Sequence, residues 1–166
     1  MNRILVFTAF FLFLTCNIKA TNIPDSLINF IEKELPGFSI PTTKEYLQDW
    51  NKYLKTEGTL PYYCSSDFNG DNKLDYAILL TDSLNEVSLY AFIKEINDYK
   101  VILIKHLGSQ GKEIQIFISV EQKGDWESAT NKINVPNDGI SIDLTEESLS
   151  WSYYFDGKTF KRFLYD

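Results

Sequence analysis

The chain of 166 residues is poor in the side chains most often recruited for chemistry, with two cysteines and one histidine. Cys16 lies in an N-terminal apolar segment, so beyond it only Cys64 remains, and one thiol cannot close an intramolecular disulfide even in an oxidising compartment. A zinc site built on one His and one Cys would need mostly carboxylate ligands, which is unusual. Positive charge is also scarce. Sixteen Lys and Arg against 23 Asp and Glu give a formal charge of −7, so a nucleic-acid backbone or an anionic lipid surface would repel the protein on average. There is no internal repeat and no low-complexity tract. Gly108 to Gly111 and Asp138-Gly139 lack the Lys and the helix start that a phosphate-cradling loop requires.

The most continuous apolar run, Ile4 to Leu14, is broken only by Thr8 and follows Asn2-Arg3. It falls short of the ~20 residues of a membrane span and has the proportions of a secretory signal peptide over residues 1–20. Cleavage is expected after Ala20. An alternative makes Cys16 a lipidated first residue, although Thr15 stands where such boxes usually carry a small Gly or Ala. Either way the remainder, residues 21–166, is expected as one acidic domain without a transmembrane span, periplasmic or secreted. For Cys64 the expected role is that of a small buried hydrophobe in a strand.

Two helices are expected first. Ile23 to Leu35 places Leu27, Phe30 and Ile31 at helical spacing, starts at Pro24-Asp25 and is closed by Pro36-Gly37. In the second, Thr42 and Glu45 form a capping box, Tyr46, Leu47, Trp50, Tyr53 and Leu54 make an apolar stripe, and Gly58 can end it. From about Tyr62 the period changes to alternation. Asp75 to Thr81, Val87 to Glu95 and Lys100 to Leu107 are apolar on both faces, as central strands are. Ile114 to Val120, Ile140 to Leu144 and Leu149 to Phe155 follow, with a hairpin at Asp156-Gly157. Glu121 to Asp138 is poorly patterned and is expected as a long loop, with Trp126 and Tyr154 exposed. The expected class is therefore α+β: two N-terminal helices packed on an antiparallel β-meander, either a twisted sheet or a partly closed barrel.

The segment with chemistry is Asp67-Phe68-Asn69-Gly70-Asp71-Asn72-Lys73-Leu74-Asp75. Side-chain oxygens recur at Asp67, Asn69, Asp71 and Asp75, and the Lys73 carbonyl can supply a fifth ligand. A hard cation such as calcium takes six to eight oxygens. Crowded carboxylates repel one another at neutral pH, which is the reason to expect an ion among them. The position usually held by Gly in an EF-hand is Asn72, which tolerates the left-handed conformation. The twelfth position is Ile78 rather than Glu, which excludes a helix-loop-helix sensor. The segment resembles the calcium loops of FG-GAP/VCBS repeat proteins, in which such a loop leads into a strand. The resemblance implies Asp67, Asn69, Asp71, Asp75 and the Lys73 carbonyl as ligands of a structural Ca2+. It covers about a dozen residues in a single copy, so the family's propeller is not carried over.

No comparable pattern points to catalysis. His106 is expected as a core or edge residue of a strand, because no Ser or Cys motif accompanies it, and nothing local supports a pair with Cys64. Glu146-Glu147 and Asp143 read as a solvated strand end and turn. Aromatics such as Tyr62, Tyr63, Trp151 and Tyr153 are expected mainly in the core. The leading expectation is an exported, non-enzymatic binding or structural module of a bacterial envelope, with a protein or glycan partner. A second is an inhibitor or immunity protein that covers the basic cleft of an envelope hydrolase. A third is a carboxylate-dependent hydrolase, which requires a concave acidic pocket containing Asp67 or Asp75.

Overall fold

A computed structural model describes residues 22–46, 59–111, 113–144 and 150–165. The expected signal peptide, residues 47–58 and Glu146-Glu147 lie outside the described residues. The chain begins with α1 (Asp25–Glu34). Its start follows from Pro24, whose carbonyl accepts from the amides of Leu27 and Ile28 and whose ring suits a helix entry. It buries Leu27 and Ile31, each worth about 1.5–3 kcal/mol of apolar transfer.

Ten strands follow in chain order. β1 (Tyr63–Ser66), β2 (Asp75–Thr81), β3 (Glu86–Lys94) and β4 (Tyr99–Ser109) form one antiparallel sheet in sequential order. β5 (Ile116–Glu121), β8 (Gly139–Leu144), β9 (Ser150–Phe155) and β10 (Phe160–Leu164) form a second, ordered β10-β9-β8-β5. β6 (Gly124–Glu127) and β7 (Lys132–Val135) make a separate hairpin.

The two large sheets face each other across one core. Ala77, Leu79, Leu89 and Ala91 from the first sheet meet Ile116, Ile118, Ile140 and Ile142 from the second. The alternate residues of the first sheet, Tyr76, Ile78, Tyr90 and Phe92, are covered by Leu27 and Ile31 of α1. β2 is thus buried along its whole length, which explains why its sequence is apolar at nearly every position. On the far side of the second sheet, Trp126 and Val135 of the hairpin pack on Phe163. The sheets meet at one edge, where the Ile118 amide donates to the Pro61 carbonyl just ahead of β1.

This architecture corrects the expected class. The described residues are mostly strand with one α-helix, arranged as two packed sheets rather than two helices on a single meander. The capping box of Thr42 and Glu45 is present, but it opens only a 3-10 turn over Thr43–Glu45. Tyr46 then turns extended, at ψ 152°, because the Ile114 amide donates to the Glu45 carbonyl and draws the chain into a bridge. The stretch 121–138 is a hairpin, not a long loop. Its Trp126 is buried at 3% exposure, its indole N–H donating to the Gln122 carbonyl, and Tyr154 is half-buried against it. β4 is an edge strand, with Leu103 more than half exposed. The hairpin at Asp156-Gly157 is present, with Phe155 paired to Phe160.

Candidate cation site

Residues 67–74 connect β1 to β2, between the paired Ser66 and Asp75. All five expected ligand residues lie in this connection or at its exit. The loop is wound around its own acidic side chains. Asp67 Oδ1 accepts from the amides of Gly70 and Asp71, and its Oδ2 accepts from Asn72. Asn69 Oδ1 accepts from the Asp71 amide at 2.8 Å. Asp71 Oδ1 accepts from the Lys73 amide, and the Lys73 ammonium lies 3.0 Å from Asp71 Oδ2, which holds the Asp71 carboxyl below the usual range. The tight winding needs left-handed backbone at Gly70 (φ 80°) and Asn72 (φ 62°), conformations natural to Gly and accessible to Asn.

Asp75 is set apart from the others. It is fully buried, with Oδ2 accepting from the Phe68 amide at 3.1 Å and Oδ1 from the Lys94 amide at 2.7 Å. It therefore fastens the loop both to itself and to the end of β3. Burial pushes its carboxyl up to about 6, against the pull of these amides.

The loop is also joined to the second sheet. Ser66 Oγ donates to Asp138 Oδ2 at 2.5 Å, while Asp138 Oδ1 accepts from the Lys123 amide. Gly70 lies so close to Asn137 that an added Cβ would come within 2.7 Å of Asn137 Oδ1. The connection between β7 and β8 is thus seated on the cation-loop motif. On the other side a shallow groove of about 560 Å³ runs between Asn69, Asp71 and Lys73 and the turn at Glu95 to Asp98. It contains neither Asp67 nor Asp75, the residues that a loop-based hydrolase would need there.

The donor set consists of oxygens alone, as a hard cation prefers; Asp67 Oδ1 is taken by two amides, while Asp67 Oδ2, Asp71 Oδ1 and the Asp75 oxygens each accept one amide and retain a second lone pair. Lys73 is half exposed and can swing off Asp71 at small cost. Among the described residues, no three His, Cys, Asp or Glu side chains already converge as a metal cluster. Binding would accordingly require Asp71 to exchange its lysine for the ion, whereas Asp75 already has an acceptor role without one.

The remaining candidates are scattered. Cys64 is buried and free, its thiol pushed up by desolvation. His106 is exposed on β4, far in sequence from Cys64, and meets Ser88 and Glu86 instead. Asp143, expected as solvated, is half-buried on β8 with its carboxyl raised by burial and Ser141 Oγ at 3.4 Å. Glu121 on β5 is raised for the same reason. Among the described residues, no helix is long and apolar enough to cross a membrane. Compared with family models, with curated proteins and with solved structures, the chain matches none.

Proposed function

We propose that this is an exported, non-enzymatic binding or structural module of the bacterial envelope, clipped by one calcium ion in the 67–75 loop and serving a protein or glycan partner. The ion would be held by Asp67, Asn69, Asp71 and Asp75 with the Lys73 carbonyl, and would supply positive charge to a loop rich in carboxylates. One observation carries the reading. Oxygen side chains at alternate positions lie in a single tightly wound connection that is fastened to β3 through Asp75 and seated against Asn137 and Asp138. An ion there would stiffen the junction of the two sheets.

Modules of this kind bind calcium at ~10⁻⁴ to 10⁻³ M, so a millimolar concentration adds only ~0.4 to 1.4 kcal/mol of stability. That magnitude suits a clip rather than a sensor. Calorimetric titration of metal-stripped protein with CaCl2 should give one site, lost in Asp71→Asn together with Asp67→Asn. Absence of heat with an unchanged melting temperature removes the ion from the proposal.

A further inference from the structure

We infer a second metal site, unrelated to the calcium loop: Glu86 and His106, at the exposed edge of the first sheet, form a two-ligand site for a zinc-class divalent cation, with Ser88 as its positioning residue. The residues are brought together by an irregularity in strand pairing. Glu86 and Ser88 lie two apart on β3 and so share a face. Opposite them, Val87 pairs with Gly108, yet Ser88 pairs with His106, so Leu107 is left over as a bulge residue. Bulges re-aim side chains at strand edges. Here the extra residue puts imidazole, not leucine, across from Ser88.

The distance that an ordinary ion pair would allow also matches the spacing of two ligands on one metal. His106 Nε2 lies 3.4 Å from Glu86 Oε2, longer than the ~2.7–3.2 Å of a good N–H···O bond. Two tetrahedral ligands at zinc distances, ~2.0–2.2 Å from the metal, stand about 3.4 Å apart. Both side chains are open to solvent, at 56% and 39% exposure, so an ion can enter and water can complete its shell.

The other imidazole nitrogen is already placed. Ser88 is 5% exposed, and its hydroxyl lies 3.0 Å from His106 Nδ1. A hydroxyl both donates and accepts. Without metal it can donate to a bare Nδ1 while Nε2–H faces Glu86; with metal on the Nε2 lone pair it accepts from Nδ1–H. The ring is thus held in one orientation for either tautomer, the task that outer partners of metal-bound histidines perform. Imidazole with carboxylate suits zinc and its neighbours, whereas a hard ion such as calcium prefers oxygens alone.

His106 is the only histidine in the chain, which makes the test unambiguous. The ring nitrogens of uniformly 15N-labelled protein are followed in long-range 1H–15N spectra during addition of ZnCl2, with calcium in excess to occupy the acidic loop. The inference expects the Nε2 resonance to move to its metal-bound position while Nδ1 becomes the protonated nitrogen. His106→Asn should abolish the calorimetric zinc signal, and Glu86→Gln should weaken it at least tenfold. Ser88→Ala should weaken it about tenfold, within the 10–100-fold range of outer-shell partners, and blur the Nδ1 assignment without removing the Nε2 response. Unmoved ring nitrogens at saturating zinc, or undiminished binding in His106→Asn with native circular dichroism, overturn it.

Discussion

The sharpest stability prediction concerns Asp75. In chelator, its carboxyl is held at about 6 in the fold against 3.8 for the free side chain. A raised carboxyl favours the folded state most where both folded and unfolded chains hold the proton, and that advantage falls once the unfolded chain ionises while the fold still keeps its proton. Its contribution is therefore fully present below pH 3.8 and is lost as pH rises through 6. Between pH 4.5 and 7.5 the loss amounts to about 2 kcal/mol. Asp75→Asn removes that titration while keeping one acceptor for the two amides of Phe68 and Lys94. The unsatisfied amide costs about 1–3 kcal/mol. The variant should then be less stable than the parent at pH 4.5 and close to it at pH 7.5. Urea unfolding followed by tryptophan fluorescence at both pH values, in chelator, measures the difference. Parallel pH slopes in the two proteins would refute the reasoning, because every other carboxylate is common to both.

Gly70→Ala forces a side chain into left-handed backbone and against Asn137, and should cost about 1–3 kcal/mol by chemical denaturation; Asn137→Ala added to it should restore the part due to the clash. Trp126→Ala empties the space between the β6–β7 hairpin and Phe163 and should cost about 3–5 kcal/mol, with hydrogen exchange accelerating first in β6 and β7. Cys64, buried with its thiol pushed up, should resist aromatic disulfide reagents in the native state and react promptly in urea; rapid native reaction would contradict its burial.

What could be read from the sequence depended on how far each signal reaches along the chain. β2 spans Asp75–Thr81 as its two-sided apolar run indicates, because burial on both faces leaves its mark residue by residue. The expected start of the second helix misleads for the opposite reason: Thr42 and Glu45 are a sound local signal, but Ile114, distant in sequence, captures the Glu45 carbonyl and Tyr46 turns extended. The β6–β7 hairpin is hidden by its composition. Its signals were Trp126 among polar neighbours and the alternation of Ile133 and Val135, a face just large enough to cover Phe163.

At the loop, the spacing of Asp67, Asn69 and Asp71 is local and legible, and the left-handed Asn72 follows from residue type. The inward turn of Asp75 is not legible, because its acceptor role depends on Lys94 in the neighbouring strand. The meeting of His106 with Glu86 and Ser88 depends on a bulge at Leu107, which the alternation of β4 does not announce.

The account rests on the 67–75 loop taking an ion, and the amides of Gly70, Asp71 and Asn72 report on it directly. In metal-stripped protein titrated with CaCl2 to about 10 mM, well above the range expected of extracellular sites, their resonances should move together along one saturable curve, with magnesium at equal concentration producing less. Resonances that stay in place throughout would show that the loop's carboxylates are satisfied by their own amides and Lys73, and that the loop is a turn without a guest.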